Sequence, residues 1–212
     1  MPVILSNRGN YKDLVTFRKA TVIYDLTYFF ATRFLDPKDR TVDQMIQAAR
    51  SGKQNIAEGV AASSTNAETE IKLVNVAKAS LKELLTDYED YLRTRGHRQW
   101  EKGSREYEYM RNLGREHDDS EFFMGLAATR PPETIANMAI ILLAQEDYLL
   151  FRQLKALEEQ LQRDGDLHVR LKFEAKEIKS RLRDQETLEA MKIKDRDQRR
   201  KELWRLKGKW GY

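Results

Sequence analysis

The chain has 212 residues and no cysteine, which excludes disulfides, thiolate metal sites and a cysteine nucleophile. Hydrophobic residues at 41% can supply a core, while charged residues at 34%, with only four prolines and ten glycines, favour long helices with solvated faces. The net charge of +4 is unevenly spread: residues 163–212 hold 16 Lys/Arg against 10 Asp/Glu and the preceding residues hold 22 against 24, an asymmetry that points to an anionic partner.

Residues 1–10 read as an arm. Its apolar run, Val3-Ile4-Leu5, is too short for a signal peptide. A first helix is expected over about 11–34, where Leu14, Val15, Val22, Leu26, Phe29 and Phe30 make a broad apolar face. Asp36-Pro37 ends it, because a residue before proline avoids the α region. The second helix, about 41–62, opens on a capping-box pattern, Thr41 with Gln44. Val42, Met45, Ile46, Ala49, Ile56 and Val60 form its apolar stripe. Ala48, Ser51, Gly52, Asn55 and Gly59 form a stripe of small residues suited to close helix contact.

After the polar break 63–66, Thr65 with Glu68 marks the start of a third helix. Ile71, Val74, Leu81, Leu85, Tyr88 and Leu92 alternate at three and four residues, the seam pattern of a left-handed bundle, with Lys78 its polar exception. Leu73, Ala77, Leu84 and Tyr91 add a second edge, and Gly96 stops the helix. Residues 97–132 are polar with scattered aromatics, and short helices are expected over about 99–113 and 121–129. Pro132 suits the first turn of a fourth long helix reaching Arg163. Its apolar run 135–151 is interrupted by Gln145, Glu146 and Asp147, which argues against a membrane span. A soluble, cytoplasmic protein is therefore expected. In the last segment Leu167, Leu171, Ala175, Ile178 and Leu182 recur at helical spacing, and the apolar residues then thin out. This predicts a helix that packs at its start and projects later, or a tail that orders on a partner.

Together these elements predict an all-α protein: an antiparallel four-helix bundle over 11–165, with an inserted short-helix region at about 97–132 and a charged helical extension over 166–212.

The segment Ser51-Gly52-Lys53-Gln54-Asn55-Ile56-Ala57-Glu58-Gly59 resembles the central motif of the bacterial four-helix-bundle proteins encoded in intervening sequences of 23S ribosomal RNA genes. The flanks agree: Phe17-Arg18-Lys19-Ala20, Asp43-Gln44-Met45-Ile46-Gln47-Ala48-Ala49-Arg50 and Ser80-Leu81-Lys82-Glu83-Leu84 match corresponding helix segments of that family. The similarity spans about residues 11–95. Residues 97–165 resemble the suffix region of a longer branch, and the basic tail has no counterpart. The same superfamily includes the accessory variability determinant of diversity-generating retroelements. The resemblance implies a homo-oligomer, a pentamer, associated with nucleic acid or a reverse transcriptase.

His97, His117 and His168 fall in different segments, and no Glu-x-x-His pair, Gly-rich phosphate loop or nucleophile elbow occurs. The run Glu116 to Glu121 offers metal ligands or, more simply, a solvated acidic loop. No catalytic residue, cofactor or metal is assigned. Asn55 and Glu58 are the polar members of the central motif. They read either as a binding site or as a helix-helix hydrogen bond and a salt-bridge partner that fix register, with Ser51, Gly52, Ile56 and Gly59 as the structural frame.

Among the bundle cations Arg18, Lys19, Arg33, Arg40, Arg50 and Lys53, the pair Arg50 and Lys53 shares one side of the second helix; a ring of subunits would multiply such a patch. Arg18, Lys19, Arg50 and Lys53 are candidate nucleic-acid contacts. The tail is the stronger electrostatic feature. Lys192, Lys194, Arg196, Arg199, Arg200, Lys201, Arg205, Lys207 and Lys209 are interleaved with Trp204, Trp210 and Tyr212. Cations that neutralise phosphates and rings that stack on unpaired bases suit a sequence-tolerant partner, RNA, DNA or a hybrid. The competing reading is a solvated helix whose tryptophans pack on a neighbouring subunit. The expected function is a non-catalytic, oligomeric nucleic-acid-binding accessory to a reverse transcriptase or another nucleic-acid enzyme. A protein-interaction scaffold is the alternative.

Overall fold

A computed structural model describes residues 10–63, 67–164, 167–193 and 195–210, with side chains described outside 164–173 and 210. The described residues are all-α. After a 3-10 turn at Tyr11–Asp13 come α1 (Val15–Phe34), α2 (Arg40–Ser63), α3 (Ala67–Thr94), α4 (Arg105–Glu116), α5 (Ser120–Ala127), α6 (Pro132–Asp164), α7 (Leu167–Met191) and α8 (Arg196–Trp210). The chain forms two compact units, Met1–Glu158 and Glu159–Tyr212.

In the first unit α1 packs on α2 and α5, and α2 packs along α3. The aromatic centre joins α1 to α3. Phe30 lies 5.1 Å from the Tyr88 ring and 4.8 Å, edge on, from Tyr91. The Tyr88 hydroxyl donates to Thr27 Oγ1 at 3.1 Å, so its polar end is satisfied where no water reaches. Fully burying side chains such as Phe30, Leu26, Met45 and Leu84 contributes about 1.5–3 kcal/mol each.

α6 completes this unit through polar as well as apolar contacts. Ile135 to Leu143 are buried almost throughout. The Thr16 hydroxyl donates to Gln153 Oε1 at 2.9 Å, and Lys78 pairs with Asp147 at 3.2 Å. The polar exception in the α3 seam is thus a tie to α6. By length and composition Pro132–Arg163 is long and apolar enough to cross a membrane, but 61% of its most apolar window is buried inside the protein.

The α2–α3 contact is where the small stripe matters. A Cβ on Gly52 would stand 2.5 Å from Leu81 Cδ2 and 2.6 Å from its Cγ, so only glycine admits that leucine. Gly59 is less constrained: a Cβ there meets Glu70 O, Leu73 Cβ and Val74 Cγ2 at 3.5–3.6 Å, ordinary contact. Gly96 ends α3 at φ 68°, and the His97 amide bonds back to Leu92 O at 2.9 Å.

Several local expectations are corrected. The cap of α2 is Asp39, whose carboxylate accepts the Thr41 amide at 2.9 Å; Thr41 lies inside the helix. The Thr65 cap falls outside the described residues. The first inserted helix begins at Arg105, because Ser104 caps it and Gly103, at φ 89°, breaks the chain before it. The segment leading in is held by Asn137 of α6, which accepts the Trp100 amide at 2.7 Å and donates to Arg98 O at 2.9 Å. Asp119 caps the second inserted helix at Ser120.

The tail is two helices that pack on each other rather than one helix, and the side chains of Leu167 and Leu171, where packing was expected, lie outside the described residues. Asp195 caps α8 by accepting the Gln198 amide at 2.7 Å, and Lys209 reaches back to Glu186 of α7 at 2.7 Å. Burial in this unit is at Ala190 and Leu206, where α7 meets α8, and not at Ala175, Ile178 and Leu182, which are exposed.

Candidate functional site

The central motif is occupied with structure. Ser51 Oγ and Ser80 Oγ lie 2.9 Å apart across α2 and α3. Asn55 turns back along its own helix, donating to Ser51 O at 2.8 Å and to Ser51 Oγ at 3.2 Å. The interhelical bond therefore belongs to Ser51, with Asn55 behind it, and Asn55 is not itself the bridge. Ile56 is fully buried. Glu58 is exposed and makes no ion pair among the described residues.

The bundle cations are not one patch. Arg18 is held by Asp118 at 2.8 Å and donates to Asp13 O at 2.8 Å. Lys19 is 3% exposed and donates to Gly114 O and to Gln145 Oε1. Burial lowers its pKa, with Glu146 and Asp118 acting in the opposite sense. The fold thus withdraws Lys19 from the surface role expected of it, while Arg18 stays partly exposed and tied to Asp118. The signal was present in the sequence, since Lys19 falls four residues after Val15 and three or four before Val22 and Ile23, in the middle of the buried face. On α2, Arg50 is exposed, and the Lys53 ammonium sits 4.1 Å from the centre of the Tyr24 ring.

Lys19 lies in a cleft of about 740 Å3 between α1, α4 and α6, lined also by Tyr107, Arg111, Arg115, His117 and Tyr148. Near it on α6 is Glu146, fully buried, with neither carboxylate oxygen hydrogen-bonded. Burial raises its pKa well above the carboxylate range, which favours the neutral acid. No sequence pattern marked Glu146, which looked like a polar interruption in an apolar run.

The middle of the acidic run 116–121 is engaged in the fold, while Glu116 and Glu121 are exposed. Asp118 pairs with Arg18, Asp119 caps α5, Ser120 donates to Asp25, and His117 stacks on Phe122 at 3.7 Å. Among the described residues no group of three or more His, Asp or Glu is placed to hold a metal ion.

In the second unit α8 has two unlike faces. Arg199 and Leu203 are half-buried and Leu206 is buried; Arg199 donates to Ile193 O at 2.8 Å. Beside them, at i, i+4, i+8 and i+11, stand Arg196, Arg200, Trp204 and Lys207, all exposed, with the Trp204 ring at 78%. These three cations have no ion-pair partner among the described residues. Arg205, by contrast, is clamped by Glu202 at 2.6 Å and Lys209 by Glu186. Lys192 and Lys201 are exposed on other sides. Lys194, the Trp210 side chain and Tyr212 lie outside what is described. Three of the tail's nine cations thus form a short column around one exposed tryptophan.

Comparison of the chain with protein-family models, with curated proteins and with solved structures finds no match.

Proposed function

We propose that this protein is a non-catalytic nucleic-acid-binding accessory protein that grips unpaired RNA or DNA with the exposed face of α8. The observation that carries the reading is the column Arg196, Arg200, Trp204 and Lys207: three cations with no ion-pair partner among the described residues, around a tryptophan exposed at 78%. Cations at one-turn spacing follow a phosphate backbone, and a free indole offers a stacking surface to any base. Nothing on this face reads base edges, so binding is sequence-tolerant.

In this reading α1, α2, α3 and α6 form an antiparallel four-helix bundle with α4 and α5 as an insertion. Arg50 is an exposed contact on it. The resemblance of the Ser51–Gly59 segment supports a cytoplasmic homo-oligomer, a pentamer, that assists a reverse transcriptase or another nucleic-acid enzyme. The test is titration of the full chain with a labelled single-stranded oligonucleotide. Binding should quench Trp204 emission, and Trp204→Ala should weaken affinity by about 1–3 kcal/mol. Binding that ignores Trp204 contradicts the reading.

A scaffold reading has one observation behind it: Ile178 and Leu182, one turn apart on α7, are 57% and 47% exposed. It predicts no oligonucleotide binding and loss of a protein partner in Ile178→Asp.

A further inference from the structure

We propose that the cleft between α1, α4 and α6 is a binding site for a small aromatic phosphate, of which a nucleoside monophosphate is the simplest form. This site involves none of the residues of the α8 face. Its volume of about 740 Å3 falls within the 300–1,000 Å3 usual for small-molecule sites.

The floor of the cleft carries a built charge. Lys19 Nζ is almost wholly buried and is held by Gly114 O and Gln145 Oε1. An ammonium has three N–H donors, so one remains for a ligand. The site is rigid where it matters. A Cβ on Gly114 would meet Leu142 Cδ2 at 3.0 Å and collide with the Gln145 amide, so the α4 backbone lies directly against α6. Gln145 is itself pinned, donating from Nε2 to Arg111 O at 2.7 Å.

Burial lowers the pKa of Lys19, and Glu146 and Asp118 act in the opposite sense. The one fully buried carboxyl group that acts on Lys19, Glu146, has no hydrogen-bond partner and is favoured in its neutral form by burial. Asp118, on the cleft wall, is engaged by Arg18 at 2.8 Å. An anion entering the cleft adds an opposite charge that favours the protonated form of Lys19.

The walls specify the rest of the ligand. Arg111 and Arg115 bring guanidinium forks, whose geometry matches phosphate oxygens. Arg111 is already oriented by Glu108 at 2.9 Å, and Arg115 is exposed at the rim. Tyr107 and the 59%-exposed ring of Tyr148 line the same cleft and offer faces for an aromatic group. Cation below, forks at the side and tyrosines at the mouth fit an aromatic ring joined to a phosphate better than either part alone.

The experiment is isothermal titration of the full chain with AMP, adenosine and inorganic phosphate as probes. AMP should bind, and adenosine and phosphate should each bind at least about tenfold more weakly. Arg115→Glu, on the exposed rim, should weaken AMP about tenfold or more at an unchanged melting temperature. Lys19→Met should do the same wherever its melt remains cooperative. The triple variant Arg196→Gln/Arg200→Gln/Lys207→Gln should bind AMP like the parent; loss there would assign AMP to the tail and overturn the cleft. No binding of AMP at millimolar concentration, adenosine binding as tightly as AMP, or full binding by Arg115→Glu would each overturn it too.

Discussion

Alanine at Gly52 and alanine at Gly59 should have different effects, although the two glycines look alike in sequence. Each replacement gains about 1 kcal/mol of helix propensity, because glycine loses more backbone freedom than alanine when the helix forms. At Gly59 the new methyl meets its neighbours at 3.5–3.6 Å, so the gain is kept. At Gly52 the methyl would lie 2.5 Å from Leu81 Cδ2, and Leu81, 4% exposed, must shift within a packed core. Overpacking of that kind costs about 1–3 kcal/mol. Gly52→Ala should therefore be neutral to destabilising by about 2 kcal/mol, while Gly59→Ala stabilises by about 1 kcal/mol. Urea denaturation followed by circular dichroism measures both. A double-mutant cycle with Leu81→Ala isolates the contact: the leucine truncation should cost less in the Gly52→Ala background than in the parent. Equal stabilisation by both alanines would refute the close contact of α2 with α3 at Gly52.

Three further outcomes follow from individual polar groups. Glu70 is 5% exposed, and burial raises its pKa from 4.5 to about 7. The folded chain keeps this proton where the unfolded chain has lost it. Glu70 therefore favours folding fully below pH 4.5, and that stability is lost as pH rises through about 7, at up to about 1.4 kcal/mol per unit. Glu146 shifts in the same direction, so stability should fall over this window and Glu70→Gln should reduce the fall; stability rising with pH there contradicts it. Asn137→Ala strips the partners from the Trp100 amide and Arg98 O and should cost about 1–3 kcal/mol, with hydrogen exchange at Trp100 accelerated. Unchanged exchange would mean that Asn137 does not hold the segment. Asp195→Ala should fray the start of α8, read as faster exchange at the Gln198 amide.

The long helices were legible because their apolar residues keep a helical period: Ile71, Val74, Leu81, Tyr88 and Leu92 are all buried, as their spacing requires. Gly96 was legible as a stop because a left-handed residue is the usual end of a helix. Caps were harder to read, since Asp39 and Thr41 are both good capping residues and only the fold decides between them. The α7–α8 turn was missed because it contains neither glycine nor proline; Asp195 capping Gln198 was its one local sign. The cleft depends on long-range partners. Lys19 meets Gly114 and Gln145, 95 and 126 residues away, and no local pattern encodes such a meeting. Charge asymmetry located the basic tail, but which cations stay free depended on where Glu186 and Glu202 fell.

The central claim is that the α8 face holds a nucleic-acid backbone, and its most direct test is the salt dependence of single-strand binding. Each phosphate neutralised contributes about 0.7 to the slope of log K against log salt. Replacing Arg196, Arg200 and Lys207 together by glutamine should flatten that slope by about 2 while leaving the melting temperature unchanged. A parental slope in the triple variant would mean that the nucleic acid is held elsewhere or not at all.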